Sequence, residues 1–467
     1  MAIIAKSRQA EQEVNERISG FFQSTKLGEI LKKANAYKSK GIPVIQVMMY
    51  LVQLAFTNRS MYMNILNGTN DSGFGKDVVY RFLKSTFVNW STYMLGLAMA
   101  LIKPLREATS ADRLSAIIFD DTMFERARSK KVELLARVCD HAAKGKQRFK
   151  KGFRLLTMGW TDGATFCPLM FRHLSSKDEK NRYNEIAPGV DKRSTGYGFR
   201  LQAMMKATDV LMCMLKQAKK IGVPAKHVLF DSWFSYPSTM IAIKKLGYSV
   251  IGRLKDTPKI KYLVNGKKLT LKEIYAANKK RPGRARYILS VAVLLYNAEG
   301  ETLPARIVFV RERGNRKKWI AFASTDMALD EEGILALYGK RWDIEVFFKI
   351  CKSYLKLGKE FQCLSYDSIT AHTAIVMTRY MILALDRRYS DDPRSLSQVF
   401  WHCCDEVADK DFAYALDIIL EALHDVLHEN ISLPESEICD LIDLFVSKIS
   451  SCFKRNLTKN KHFSVAV

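Results

Sequence analysis

Two short apolar runs, each ended by an aspartate, limit what this chain can fold into. Ser115-Ala116-Ile117-Ile118-Phe119 leads into Asp120-Asp121-Thr122, and His227-Val228-Leu229-Phe230 leads into Asp231. Apolar runs this short, bounded by polar residues, read as buried strands rather than helices. Between them, Phe153–Trp160, the turn Thr161-Asp162-Gly163-Ala164 and Thr165–Phe171 read as a hairpin, and Gln202–Ile221 reads as a helix. A helix over Ser238–Leu246 and a strand over Ser249–Leu254 continue the alternation. Strands alternating with helices after a hairpin predict an α/β sheet covered on both faces. Such sheets build their sites at the carboxyl ends of strands, where both aspartates are expected. A carboxylate without a positive partner is costly there, so a cation or a metal should face it.

A third acid comes from a helical stretch. Tyr338, Arg341, Glu345 and Lys352 lie at offsets 0, +3, +7 and +14. At about 100° per residue they share a sector of roughly 60°, one stripe along a single helix over 338–352. Ile344, Phe347, Phe348 and Cys351 form a separate apolar face that should hold this helix against the sheet. Arg341 and Glu345 alone would be an ordinary i, i+4 pair. That pairing does not explain why a tyrosine, an arginine and a lysine share a narrow stripe with a single acid.

Phosphoryl-transfer chemistry does explain it. Three carboxylates, Asp120, Asp231 and Glu345, offer hard oxygen ligands for two Mg²⁺ or Mn²⁺ ions. Two such ions serve the attacking and leaving oxygens of an in-line displacement. Arg341 can grip a phosphate bidentately and Lys352 as a point charge. Asp120 and Asp121 are adjacent, and strand geometry alone does not choose between them.

Charge supports a polyanionic partner. Seventy-four Lys and Arg against 48 Asp and Glu give +26, far more than solubility requires. The excess is uneven: residues 255–318 carry 17 basic and 5 acidic side chains around the β-rich stretches Tyr287–Tyr296 and Ala305–Val310. Asp405–Asp443 reverses the sign, with twelve acids and one lysine. Nucleic acid should avoid that surface, which suits contact with protein. Residues 1–110 read as helical, and a basic helix over Asp77–Leu83, after the loop at 67–73, is shaped to dock on a duplex. The nine cysteines form no CxxC pair and show no paired histidine spacing, which argues against structural zinc and for small buried side chains in a reducing cytoplasm. The N-terminus lacks a signal-peptide core, and the apolar stretches Val47–Phe56 and Tyr93–Ile102 fall short of the ~20 residues that span a bilayer, so no membrane partner is expected.

Tyr338-x2-Arg341-x3-Glu345-x6-Lys352 resembles the YREK signature of a large group of bacterial insertion-sequence DDE transposases. Phe119-Asp120-Asp121-Thr122 is similar to that group's first-Asp motif, Asp-x-Thr, which selects Asp120, and Phe230-Asp231-Ser232-Trp233-Phe234 to its second. The resemblance spans about residues 111–365. It implies an RNase H-like catalytic core with an inserted β-rich module, flanked by helical domains. The expected division is 1–110 (helical, DNA-end binding), 111–254 and 328–365 (the two parts of the core), 255–327 (the basic insertion) and 366–467 (helical and acidic, for protein contact). By resemblance, Asp120, Asp231 and Glu345 are catalytic and ligate two Mg²⁺ or Mn²⁺ ions, and Tyr338, Arg341 and Lys352 hold phosphates of the element's ends. Trp319 stands where the family can stack an extruded base, although plain strand packing accounts for it as well. The implied activity is cut-and-paste transposition: binding double-stranded inverted-repeat ends, cleaving them and joining the 3′ ends to target DNA. A homodimer in the bacterial cytoplasm is the implied working form. Two other readings keep part of this picture, a metal-dependent nuclease or resolvase and a non-catalytic DNA-binding descendant. The phosphate-gripping stripe counts against the first and the complete acid triad against the second.

Overall fold

The computed structural model describes residues 16–56, 61, 73–109, 113–140, 148–282, 286–312, 315–360, 363–389 and five isolated positions beyond 426. The expectations for the loop at 67–73 lie outside these residues except at Gly73, and those for the acidic stretch 405–443 do so except at four isolated positions, 427, 437, 438 and 441.

The strands of the described residues form one large mixed sheet. β1 (Ala116–Glu125) pairs antiparallel with β3 (Arg148–Thr161), whose far edge carries β2 (Ala136–Asp140) along one half and β4 (Phe166–Leu174) along the other. On its other side β1 runs parallel to β5 (His227–Phe230), and β5 runs parallel to β6 (Ser249–Arg253). Three antiparallel strands followed by two parallel to the first fit an RNase H-like core. The sheet then continues through the 255–327 segment. β11 (Asn315–Ser324) pairs antiparallel with β6, followed by β10 (Thr302–Glu312), β9 (Leu289–Tyr296), β7 (Tyr262–Val264) and β8 (Lys267–Leu269).

The hairpin between β3 and β4 turns for a local reason. The Asp162 carboxylate accepts from the N–H groups of Ala164 (2.8 Å) and Thr165 (2.7 Å), and Gly163 takes a φ of +89° that a side chain would resist.

The N-terminal helices α1 (Leu27–Lys33), α2 (Val44–Gln53), α3 (Lys76–Leu83) and α4 (Trp90–Glu107) share one hydrophobic core with the sheet. Asn89 caps α4 by accepting from the Thr92 N–H at 3.0 Å. The fully buried Arg172 of β4 fastens this layer, donating to Ser91 Oγ (2.9 Å) and Gln202 Oε1 (2.8 Å). The helix expected over 202–221 is two helices, α5 (Thr195–Ala203) and α6 (Ala207–Ile221), with α5 capped by Ser194. α7 (Pro237–Lys245) joins β5 to β6, and α8 (Leu271–Ala277) opens with a Thr270–Glu273 capping box.

Helix α9 (Glu331–Gly339) follows β11, then α10 (Trp342–Ser353) and α11 (Tyr366–Tyr389). The last of these corrects the sequence reading. Tyr366–Arg388 is long and apolar enough to cross a membrane, which the search for uninterrupted apolar runs overlooked because polar residues are spread along it. Most of it is buried inside the protein, and its Arg379 forms an ion pair with Glu360 at 2.9 Å and donates to the Val52 carbonyl near the end of α2. α11 thus packs as the central helix of a folded core.

Candidate active site

β1 does not end where its apolar run ends. Asp120 was expected as a strand-terminal residue, but residues 120–125 stay paired with β3, from Asp120↔Thr157 to Glu125↔Gly152. What stops at Asp120 is the parallel pairing with β5, whose last matched residues are Phe119 and Phe230. Asp120 and Asp231 therefore each follow that matched pair on adjacent strands, which in sheets lie about 4.8 Å apart. The Asp231 turn is held by its own groups: its carboxylate accepts from the Trp233 N–H at 2.9 Å and its carbonyl from Ser235 Oγ at 3.0 Å.

The stripe expected on one helix is divided between two. α9 ends at Gly339, and the N–H groups of Lys340 and Arg341 bond three residues back, to Leu337 and Tyr338, a tighter turn than the α-helix. Lys340 is drawn out of line at this point, because its ammonium reaches the carbonyls of Leu114 and Asp162. α10 then carries Glu345 and Lys352, with Ile344, Phe347, Phe348 and Cys351 buried as its pattern predicts.

Two of the four stripe residues, Arg341 and Lys352, still meet β1 despite this break. Arg341 donates to Asp120 Oδ2 at 2.9 Å and pairs through its other terminal nitrogen with Glu345. Lys352 Nζ donates to Thr122 Oγ1 at 2.6 Å. Asp120 and Thr122 are two apart on a strand and so share its face toward α10. Asp121, on the opposite face, pairs instead with Arg154 of β3. Tyr338 packs its ring on Phe322 with centroids 4.5 Å apart, and the Arg341 guanidinium lies 5.7 Å from its ring centre.

Electrostatics tie the acids together. Burial pushes the Asp120 carboxyl up to about 7; Arg341 pulls it down, and the charges of Asp231 and Glu345 add to the rise. Burial likewise raises the Tyr338 phenol to about 12, with Asp231 contributing and Arg341 opposing. Burial lowers Arg154 to about 10 against the opposite pull of Asp231 and Asp120. Among the described residues no three Asp, Glu, His or Cys side chains already converge as a metal cage. The Arg341 guanidinium stands between Asp120 and Glu345 instead. The donor set nonetheless suits Mg²⁺ or Mn²⁺: oxygen ligands only, with buried negative charge that a dication would neutralise.

Trp319 sits in β11, partly buried, stacked on Tyr275 (5.4 Å, 24° between planes) and edge-on to Phe309 (5.0 Å, 76°). Arg154 was missed by sequence reasoning. It enters through strand register, which sets it opposite Met123, and it lies 4.9 Å from the Trp233 ring centre. Nothing in the local sequence distinguishes it from the neighbouring Lys150 and Lys151.

Residues 51–261 match the family described as DDE superfamily endonuclease, and residues 203–382 match the Transposase DDE domain. These matches support a DDE transposase, a nuclease-type enzyme of a kind that generally depends on divalent metal. No curated protein matches the chain. Among solved structures, the Drosophila P element transposase strand transfer complex aligns over 96% of this chain and 87% of its own at 12% identity, with a TM-score of 0.20, too distant to inform the fold.

Proposed function

We propose that this chain is a cut-and-paste transposase of a bacterial insertion sequence, of the YREK-signature group, acting as a dimer on its element's inverted-repeat ends. The observation that carries this reading is the side-by-side placement of Asp120 and Asp231, with Arg341 linking Asp120 to Glu345. In it, Asp120, Asp231 and Glu345 hold two divalent ions. When bound, these ions activate the attacking oxygen and stabilise the leaving one.

The protein's own residues supply the rest. Arg341, Lys352 and Tyr338 grip the phosphates beside the bond being cut, and the guanidinium fork sets the angle of the phosphate to the acids. The helices that carry them are anchored by buried apolar faces, which hold their backbones in place while the side chains turn to the phosphates. The pairing of Asp121 with Arg154 supports Asp120 as the ligand. Trp319, partly buried and stacked on Tyr275, is the aromatic offered to an extruded base. The basic surface of residues 255–327 binds DNA flanking the ends, and the C-terminal segment contacts a second subunit.

The test is cleavage of a duplex carrying the repeats that flank the coding region, with Mg²⁺ or Mn²⁺ present. Asp231→Ala should abolish cleavage while DNA binding persists. Equal cleavage by that variant removes Asp231 from the mechanism.

A further inference from the structure

Beyond Asp120, the second half of β1 forms one wall of an open cleft of about 550 Å³. Residues 121–125 line it, so the cleft begins next to the acids; at about 3.3 Å per residue that wall is roughly 17 Å long. Lys150, Arg154, Lys352 and Lys359 face it against only Asp121 and Glu125, which leaves the lining positive. The two acids are engaged along the wall, Glu125 with Lys150 at 3.1 Å and Asp121 with Arg154. Lys359, at the far rim, is exposed. Met123 and Leu357 add apolar surface between the charges.

Cations spaced along an apolar trough suit a phosphodiester chain, whose charges repeat about every 3.4 Å along a duplex strand and whose sugars and bases are largely apolar. The volume is that of a small-ligand pocket, about 300–1,000 Å³, too narrow for a duplex. We propose that this cleft holds a single DNA strand where it leaves the acid site, with phosphates on Lys150 and Lys359. The proposal rests on the transposase reading and adds the path of one strand to it. Lys352 is the shared post: through Thr122 it is fixed to β1 where the acid site passes into the cleft.

Cys139, half-buried, lines the same cleft; among the other described cysteines Cys213 is half-buried but does not line it, and Cys167, Cys351 and Cys363 are buried. Cys139 can therefore report the strand directly. The probe is a duplex of the flanking repeat, carrying a disulfide-activated tether at successive phosphates on one strand. The proposal expects cross-linking to peak within a few nucleotides of the cleavage point and to vanish in Cys139→Ser. Lys150→Gln with Lys359→Gln should also flatten the log–log salt dependence of binding by about 1.4, two single-strand contacts at about 0.7 each. A protein that binds the duplex but shows no Cys139-dependent cross-link, or keeps its salt slope in the double variant, overturns the cleft and leaves the transposase reading standing. A protein that does not bind the duplex at all overturns both.

Discussion

Arg341 donates to Asp120 at 2.9 Å and, through its other terminal nitrogen, pairs with Glu345 one turn along the same helix. One guanidinium thus fills the gap between two of the three acids, with its side chain only 14% exposed. The charge proposed to grip a phosphate is the same charge that pairs with the acids in the structure.

That double role has a measurable consequence. A dication entering between Asp120 and Glu345 must displace Arg341, and a cation within a few ångström opposes it by several kcal/mol at an effective dielectric of about 20. Arg341→Gln should therefore bind Mn²⁺ at least about a hundredfold more tightly than the unmodified protein in the absence of DNA, read as loss of the free-Mn²⁺ EPR signal. The same variant should bind terminal DNA more weakly. Equal Mn²⁺ affinity in the two proteins would show that the guanidinium does not compete.

Gly252 of β6 controls the Asp231 turn from behind. A Cβ there would lie 2.5 Å from Ser235 Oγ, the hydroxyl that donates to the Asp231 carbonyl, and 2.9 Å from the Phe230 ring. Relief requires the turn to shift, and overpacking of this kind costs about 1–3 kcal/mol. Gly252→Ala should reduce cleavage by tenfold or more while DNA affinity changes little, measured by single-turnover cleavage beside equilibrium binding. Unchanged cleavage would mean the turn absorbs the methyl group.

Far from the acids, Arg200 holds α5, the segment before β2 and the start of α11 together. It donates to Glu133 at 2.6 Å and to Asp367 at 3.0 Å, and all three side chains are buried. Taking away the cation leaves two buried carboxylates facing each other, a loss of about 3–5 kcal/mol. Arg200→Met should lower the urea midpoint accordingly. A midpoint within experimental error of the parent would place the network outside the cooperative core.

Two buried histidines weaken the fold as pH falls. Burial, with the nearby charges of Arg379 and Arg126, lowers His372 to about 3, and burial with Arg126 and Arg172 lowers His173 well below its ordinary value. Both are neutral when folded but take up protons near pH 6.5 when unfolded. The unfolded chain thus binds more protons below pH 6.5, so stability falls as pH drops, by about 1.4 kcal/mol per pH unit for each histidine until the folded value is reached. Asp120, raised to about 7, works in the opposite sense over this range, so the histidine effect is read as a difference: from pH 7 to pH 5 the urea midpoint of the parent should fall relative to that of His372→Gln. A difference between the two proteins that stays constant over this range would contradict the assignment.

Periodicity and short apolar runs reveal strands and buried helix faces, and these were legible: β5, β6, the β3–β4 hairpin and the apolar side of α10 stand where the sequence places them. What could not be read depends on partners distant in the chain. Asp120 lies within a strand rather than at its end because β3 is long enough to pair with the polar residues that follow it. The break at Lys340 and Arg341 leaves no mark on helical spacing, since it arises where Lys340 reaches carbonyls more than 170 residues away. Arg154 joins the acids only through the β1–β3 register. The sharing of β1's two faces, Asp120 toward Arg341 and Asp121 toward Arg154, is likewise a tertiary fact that adjacent identical residues conceal.

Anomalous scattering from Mn²⁺ in crystals of the protein bound to its terminal-repeat duplex tests the three-acid site most directly. The account predicts Mn²⁺ peaks with carboxylate oxygens of Asp120, Asp231 and Glu345 in contact, and the Arg341 guanidinium moved onto a phosphate. Manganese bound elsewhere, or bound with any of the three acids turned away from it, would contradict the account.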